Sequence, residues 1–331
     1  MRKHCLGFVL IDAPHSALNN AGTDEGARTE NTIAVKKIKK GREVYPYVSA
    51  QAWRYWWREV LGSKFNWTMS PIARESKTAF TENNPLKYYD DDVFGYMRAE
   101  KKETFTRVSP LKCSPLVSVV PFKPVDDFGV MARQEGDPVP YEHQFYSTVL
   151  KGIFALDLDS VGRFTTVNKT GFKNISKELL QKAHDFNAQV VDGEAILTAQ
   201  ERAKRAKETL LALAYLFGGA KQTLNLTDVS PKFIILLILD GGNHLLMNVT
   251  GEKEGKPIIN FDYLEEVLLD YQDSIVSNVY IGKASGFLDE VDLNRFKARM
   301  AEKGFARIEI GTVKQMIESF ADEVEKYYLE R

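Results

Sequence analysis

Two strand-like runs and the start of a helix follow one another in TIAVKKIKKGREVYPYVSAQAWRYWWREVL, residues Thr32–Leu61. Gly41 separates the two apolar runs, which predicts a β-hairpin over residues 32–48. This hairpin carries a dense group of cationic side chains: Lys36, Lys37, Lys39, Lys40 and Arg42. Because cationic clusters of this kind neutralise phosphates, they are candidate contacts to a nucleic-acid backbone.

A helix is predicted directly after the hairpin. Ser49 is a suitable N-cap, since its hydroxyl can accept a hydrogen bond from an unpaired N–H of the first turn. Gly62 is predicted to end the helix in the left-handed conformation. Apolar residues recur at helical spacing and predict one face that packs on a sheet: Trp53, Trp56, Trp57, Val60 and Leu61.

The opposite face of this helix carries Gln51, Arg54 and Arg58 at positions i, i+3 and i+7. A helix N-terminus with free N–H groups, beside two arginines and a lysine-rich hairpin, suits the binding of phosphate. The alternative interpretation is a solvated charged hairpin next to an ordinary core helix. We favour anion binding because the cap, the arginine face and the hairpin converge in one place.

The composition is that of an ordinary globular protein, with 331 residues of which 44% are hydrophobic and 27% charged. The formal net charge of −1 means that a nucleic-acid role requires segregation of charge on the surface. Two cysteines, Cys5 and Cys113, cannot form a disulfide framework and indicate a reducing compartment. The apolar run near the N-terminus is too short for a secretory signal, so we expect a cytoplasmic protein without a membrane partner.

Strands and helices alternate along the rest of the chain and predict an α+β fold with a mixed or antiparallel sheet. His4–Ile11 is predicted to be a central strand that leads into a polar loop, in which Asn19 and Asn20 are candidate ligand contacts. Residues 144–164 alternate with period two and predict a long strand. An amphipathic helix over 199–217 ends in a glycine loop that could approach a ligand closely; its candidate contacts are Gly218, Gly219, Lys221 and Gln222.

Two insertions are predicted within this single domain of residues 1–331. Residues 62–107 form a helical or irregular insertion with Arg98 near its end, and Lys112 follows in a proline-rich loop. Residues 121–144 form an extended insertion in which exposed Phe128 and Met131 lie near Arg133, a combination that can stack on bases. Packing against a neighbouring subunit explains the same residues equally well. Asp90–Asp92 lack the spacing of a calcium loop, so we predict no metal site and no cofactor.

Several motifs together resemble one family, the backbone subunits of the CRISPR-associated Cascade surveillance complex (the Cas seven superfamily) and, within it, the DevR group of type I-B systems. The resemblance covers most of the chain. It rests on GFVLIDAPHSALNNAG at 7–22, YPYVSAQAWRYWWR at 45–58, VFGYMR at 93–98, SPLKCSPL at 109–116, DFGVMAR at 127–133, YEHQFYSTVLKGIFALDLDSVGRF at 141–164 and LFGGAKQ at 216–222.

The resemblance implies a modified RNA-recognition-motif (ferredoxin-like) palm with an antiparallel sheet and inserted finger and thumb elements. Copies of such a subunit stack along a guide RNA (crRNA) as a helical filament, together with other Cascade subunits, and present the guide to target DNA in antiviral defence. It implies phosphate contacts for Ser49, Gln51, Arg54 and Arg58, and it places the loop around Asn19 and the glycine loop beside RNA. Residues 62–107 correspond to fingers and 121–144 to the thumb, with Phe128 and Met131 as wedges.

Two other functions are compatible with the sequence. The first is a metal-dependent target-RNA nuclease of the type III kind that uses an aspartate in the loop after the first strand, here Asp24. The second is a protein–protein scaffold with an incidental basic hairpin. The scattered histidines and the lack of a nucleophile or phosphate-binding motif favour a non-catalytic RNA-binding subunit.

Overall fold

The computed structural model describes residues 2–23, 32–75, 78–100, 103–169 and 171–330. The first half of the chain is mostly strands: β1 (Lys3–Ser16), β2 (Asn20–Thr23), β3 (Thr32–Val35), β4 (Lys37–Lys40), β5 (Glu43–Val48), α1 (Ala50–Phe65), β6 (Ala73–Glu75), β7 (Thr78–Phe80), α2 (Tyr89–Phe94), β8 (Tyr96–Glu100), β9 (Glu103–Arg107), β10 (Leu111–Cys113), β11 (Leu116–Ser118), β12 (Val125–Met131) and β13 (Val139–Asp157).

The second half contains most of the helices: β14 (Arg163–Thr165), α3 (Lys177–Gln181), β15 (Ala188–Val191), β16 (Glu194–Leu197), α4 (Ala199–Leu211), α5 (Gln222–Asn225), β17 (Phe233–Asp240), β18 (Thr250–Lys253), β19 (Lys256–Ile259), α6 (Phe261–Asp270), β20 (Val279–Lys283), α7 (Leu293–Glu302), β21 (Ile308–Gly311) and α8 (Val313–Leu329). Two 3₁₀ turns, Ala183–Phe186 and Ala212–Tyr215, follow α3 and α4.

The main sheet has the strand order β21-β20-β17-β1-β13-β11-β5-β4. Neighbours along this order are antiparallel except β20 and β21, which are parallel. The predicted α+β class with a largely antiparallel sheet is therefore confirmed. Strand β17 lies in the centre of this sheet, where it pairs with β1 and β20. Since β17 is buried on both faces, its continuous apolar pattern could not show which strands would flank it.

Helices cover both faces of this sheet. On one face the odd-numbered residues of β1, such as Val9 and Ile11, pack with the tryptophans of α1 and with α4 and α8. On the other face Phe8 and Leu10 pack with α6 and α7. Trp57 occupies the centre of the first face, where its ring lies 5.2 Å from that of Phe154 in an edge-on contact. The predicted packing stripe of α1 is thus confirmed, since all five of its apolar residues are buried.

The end of α1 differs from the prediction. The helix continues through Gly62 to Phe65, and Asn66 adopts the left-handed conformation with φ 54°. Phe65 packs against the core and its ring lies 6.4 Å from that of Tyr215. This extra apolar contact stabilises one more helical turn, and asparagine then takes the left-handed position that the sequence predicted for glycine.

A buried ionic network joins the 62–107 insertion to the main sheet. The carboxylate of Asp92 accepts hydrogen bonds from Arg107 at 2.5 Å, from Arg205 at 2.9 Å and from the N–H of Gly162 at 2.9 Å. The side chains of Asp92, Arg107 and Arg205 are 0%, 5% and 1% exposed. One carboxylate therefore connects α2, β9, α4 and the turn after β13.

Replacing this carboxylate should destabilise the whole fold. In Asp92→Ala two buried guanidinium groups would lose their shared counter-ion, and we expect the free energy of unfolding to fall by about 3–5 kcal/mol. Urea denaturation followed by circular dichroism measures this change. Asp185→Ala, at an exposed position, is the control, and a loss for Asp92→Ala no larger than that of the control would contradict this role.

Candidate nucleic-acid interface

Three of the predicted segments meet at one end of the main sheet: the loop after β1, the start of α1 and the glycine loop. The side-chain oxygen Oδ1 of Asn19 accepts a hydrogen bond of 2.9 Å from the N–H of Ser49. The carbonyl of Asn19 accepts one from Lys36, and the carbonyl of Leu18 accepts one from Ala220, each 2.9 Å. We call this meeting point the loop junction.

The glycine loop fits against α1 only because two of its residues have no side chain. Gly218 and Gly219 have φ values of 136° and 103°, which residues with a Cβ rarely adopt. A Cβ on Gly218 would lie 2.5 Å from the Trp56 ring, and one on Gly219 would lie 2.6 Å from Leu18. The predicted close approach of these glycines is therefore directed at the protein, and it holds the loop in place beside the start of α1.

The neighbouring polar residues of this loop have different roles. The side-chain amide of Gln222 donates to the carbonyls of Gly218 and Thr227, so it holds the loop closed. Lys221 has φ 57°, and its charge lowers the pKa of His143. It therefore lies near the base of the hairpin formed by β12 and β13.

The start of α1 is built as predicted. The Ser49 hydroxyl oxygen accepts a hydrogen bond of 3.3 Å from the N–H of Ala52, and Gln51 is exposed in the first turn. The first N–H groups of any α-helix lack acceptors within the helix and create a positive potential. Asn20 opens β2 and is half-buried next to the junction.

The two arginines of α1 are engaged within the protein. Arg54 donates to the carbonyls of Leu111 and Phe94 and to the hydroxyl of Ser109. Arg58 lies 2.6 Å from Asp90, whose side chain is 1% exposed. Both side chains attach α1 to α2 and to the segment around β10, and their phosphate contacts stay a prediction. Helical spacing identified their common face and could not show which groups would pack against it.

A hairpin formed by β4 and β5 turns at Gly41, whereas Ile33–Val35, the first strand of the predicted hairpin, belongs to β3 and pairs with β2 and β13. Strand alternation divides its lysines between the two faces. Lys37 lies 3.2 Å from the side-chain oxygen of Gln144, and Lys39 is exposed on the same face. Lys40 lies on the other face, 4.8 Å over the ring of Tyr45. Lys36 is half-buried beside the junction, and Arg42 is exposed in the turn.

Residues 121–144 form a long hairpin of β12 and the first part of β13, with the register from Val125↔Phe145 to Met131↔Val139. Phe128 and Met131 are 61% and 57% exposed, as predicted. They differ by an odd number of residues and therefore lie on opposite faces of the ribbon. Arg133 is exposed in the connecting turn.

An aromatic series lies along the Met131 face at the base of this hairpin. The His143 ring stacks with that of Tyr141 at 6.1 Å and lies 3.3 Å from the carboxylate of Asp127. The Phe145 ring lies 4.3 Å from that of His15. Burial, more than the charge of Lys221, lowers the pKa of His143. Sequence analysis missed these residues because His15 and His143 are far apart in the chain.

Arg98 and Lys112 lie on two further strands. Arg98, on β8, donates to the side chain of Asn83 at 3.0 Å and lies 4.6 Å over the ring of Phe80. Lys112, on β10, is opposite Ala155 and is exposed. Its neighbour Leu111 accepts a hydrogen bond from Arg54, so Lys112 lies beside α1.

Acidic and metal-ligating residues give no competing site within the described part of the chain. Asp90, Asp91 and Asp92 accept hydrogen bonds from different groups of the surrounding protein. The described ranges contain no group of three or more His, Cys, Asp or Glu side chains able to hold a metal ion. Asp24, the residue of the nuclease alternative, lies outside the described residues.

Comparison with known proteins identifies the family. The model of the family described as "CRISPR-associated negative auto-regulator DevR/Csa2" matches residues 13–250, which include the loop junction and both hairpins. The chain belongs to the DevR/Csa2 family. A comparison with curated protein sequences gave no significant match.

Solved structures share the fold of this DevR/Csa2-family chain. A chain described as "CRISPR RNA-guided surveillance complex, pre-nicking" is similar with a TM-score of 0.61 and 12% identity, over 97% of this chain and all of that one. A second, described as "CRISPR RNA-guided surveillance complex", has a TM-score of 0.53 and 11% identity, over 97% of this chain and 99% of that one. No helix in the described ranges is long and apolar enough to cross a membrane.

The role of Arg58 in this DevR/Csa2-family chain can be tested directly. In Arg58→Ala the buried carboxylate of Asp90 would lose its charged partner, and we expect the free energy of unfolding to fall by about 2 kcal/mol. Urea denaturation measures this, with Lys39→Ala as a control that removes an exposed cation. A variant that unfolds like the wild type but does not bind RNA would instead identify Arg58 as a phosphate ligand.

Proposed function

We propose that this protein is a non-catalytic, guide-RNA-binding backbone subunit of a type I CRISPR surveillance complex. The observation that carries the proposal is the loop junction, where Asn19, Ser49 and the glycine loop are hydrogen-bonded together beside the lysines of β4. Membership of the DevR/Csa2 family supports the CRISPR-associated role.

The junction suits a sugar–phosphate backbone better than a particular base sequence. Lys39 and Lys221 have no carboxylate within ion-pairing distance among the described residues, and Lys37 contacts only a neutral amide. The N-terminal N–H groups of α1 add a positive potential. Contacts of this kind hold RNA without reading its sequence, as a subunit that accepts many different guides requires.

The hairpin of β12 and β13 is proposed to be the thumb. Because Phe128 and Met131 lie on opposite faces, one nucleotide cannot contact both from the same side of the ribbon. We assign the wedge role to Met131, whose face leads to His143, near Lys221. Phe128 would then contact another copy of the chain or another subunit.

Assembly completes the proposed function. Copies of the chain stack along the guide RNA, with other subunits of the complex at the ends, and present the guide for pairing with target DNA in the cytoplasm. Lys112 is exposed beside the residues that contact Arg54 of α1, so we propose it as a further contact for RNA that passes this helix.

The triple variant Lys37→Gln, Lys39→Gln and Lys221→Gln tests the junction. We expect weaker binding of all RNA sequences alike, and a salt dependence whose log–log slope is reduced by about 0.7 for each phosphate that the variant no longer binds. Fluorescence anisotropy with single-stranded RNAs of unrelated sequence, at several salt concentrations, measures both effects. The charge-matched control is Lys297→Gln on α7, Lys303→Gln directly after it and Lys326→Gln on α8.

Equal salt slopes for the two triple variants would show that RNA does not bind at the junction. The scaffold alternative makes a different prediction for the wild type. If the protein were only a scaffold, the purified sample would show no nucleic-acid absorbance before a high-salt wash. It would also not bind added RNA after the wash.

A further inference from the structure

The long strand β13 continues the thumb face into the main sheet. Side chains alternate along a strand, so Ser147, Val149 and Lys151 lie on the same face as Tyr141, His143 and Phe145. Ser147 is exposed, and Val149 and Lys151 are half-buried on that face. The opposite face of the same strand carries the core residues Leu150 and Phe154.

Val149 on this face packs against the core that includes α6 and α7, whereas Val117 and Tyr47, farther out in the sheet, are half-buried. Val117 of β11 pairs with Lys151 on one side and with Tyr47 of β5 on the other. Tyr45 precedes Tyr47 by two residues in β5, so it lies on the same face, with Lys40 over its ring. We call the group Lys40, Tyr45, Tyr47 and Lys151 the sheet platform.

The platform combines cations that lack counter-ions with aromatic rings that are within reach of solvent. Tyr45, Tyr47 and Lys151 are half-buried and Lys40 is exposed. Neither lysine forms an ion pair with a carboxylate in the described ranges. Burial lowers the pKa of Lys151 and the charge of Lys40 lowers it further, so an anion at this position would relieve both effects.

Two carboxylates lie close to the platform and do not neutralise it. Glu43 accepts a hydrogen bond of 2.6 Å from the hydroxyl of Tyr45. Glu252 of β18 acts on Tyr45 through its charge. The hydrogen bond to Glu43 fixes the orientation of the Tyr45 phenol, and neither carboxylate forms an ion pair with Lys40 or Lys151 in the described ranges.

The backbone of Lys36 joins the platform to the loop junction, although the platform lies on the face of the sheet opposite α1. Lys36 donates its N–H to the carbonyl of Asn19, and its own carbonyl accepts a hydrogen bond of 2.9 Å from the N–H of Tyr47. The strand spacing makes the region from β13 to β4 about 14 Å wide, enough for one extended strand of nucleic acid. A strand that leaves the junction at Lys36 would therefore pass around the edge strand β4 to reach the platform on the opposite face.

We propose that the sheet platform is an additional part of the RNA site, on which bases of the same guide strand stack against Tyr45 and Tyr47 while Lys40 and Lys151 bind its phosphates. This inference rests on the proposed function and extends the proposed RNA-binding site from the loop junction onto the sheet. Aromatic rings on an open sheet face bind single strands without sequence preference, because every base has a π-face.

The test uses the full-length protein, freed of nucleic acid by a high-salt wash, and a fluorescent oligouridylate of about 15 nucleotides, near the upper end of known single-strand sites. Ultraviolet cross-linking followed by mass spectrometry should locate adducts on Tyr45 or Tyr47. In Tyr45→Leu with Tyr47→Leu we expect the affinity to fall at least about fivefold. In Lys151→Gln we expect the salt slope to fall by about 0.7.

Matched controls are Tyr271→Leu, at a tyrosine that is 38% exposed after α6, and Lys326→Gln on α8. Circular dichroism checks the folding of each variant, and the cross-links of the wild type decide the question if the double variant does not fold. Wild-type affinity in the folded platform variants, with no adduct on either tyrosine, overturns the platform.

The results also separate the platform from the junction. Loss of binding only in the junction triple variant retains the proposed function and overturns the platform. Loss only in the platform variants retains the platform and overturns the junction, and a wild type that binds no RNA overturns both. A changed oligomeric state with unchanged RNA affinity would show that another protein chain covers this face, which also overturns the platform.

Discussion

The alternation of side chains along β13 is the constraint on which the rest of the structure depends. This strand pairs with β12 and β3 in its first part and with β1, β11 and β10 in its second. A shift of one residue would move Leu150 and Phe154 out of the core and place Lys151 in it. The register therefore fixes at once the packing of α1 and the composition of the opposite face.

The charges of the molecule fall into two groups with different physical roles. Asp90, Asp92 and their arginine partners are buried or half-buried and mutually satisfied, so they hold the 62–107 insertion against the sheet. The lysines of β4 and the glycine loop are outside this network. A net charge close to zero is thus compatible with a locally positive surface, because the acidic residues that balance the total lie elsewhere, for example on α8.

This division would allow the proposed backbone subunit to be rigid and also tolerant of RNA sequence. The network around Asp92 and the hydrogen bonds of Asn19 fix the positions of the loops. The proposed phosphate and stacking contacts, in contrast, use flexible lysines and the faces of aromatic rings. Neither kind of contact reads a base, so the proposed site would hold every part of a guide and leave specificity to base pairing.

The sequence by itself determined the local features whose causes are local. The Ser49 cap, the buried stripe of α1, the hairpin turn at Gly41 and the long strand β13 all follow from neighbouring residues, and the family followed from motifs spread over the chain. Local pattern also identified the glycine loop, although it did not show that its glycines accommodate Trp56 and Leu18.

Only the tertiary structure decided which cationic side chains remain available to bind a ligand. Arg54, Arg58 and Lys39 look equivalent in sequence, but the first two face acceptors from α2 and β10 that are distant in the chain. The end of α1 also depends on a distant residue, Tyr215. The platform likewise brings together residues of three strands, β4, β5 and β13. Sequence pattern reports which residues share a face; what lies opposite that face depends on long-range packing, which no local pattern contains.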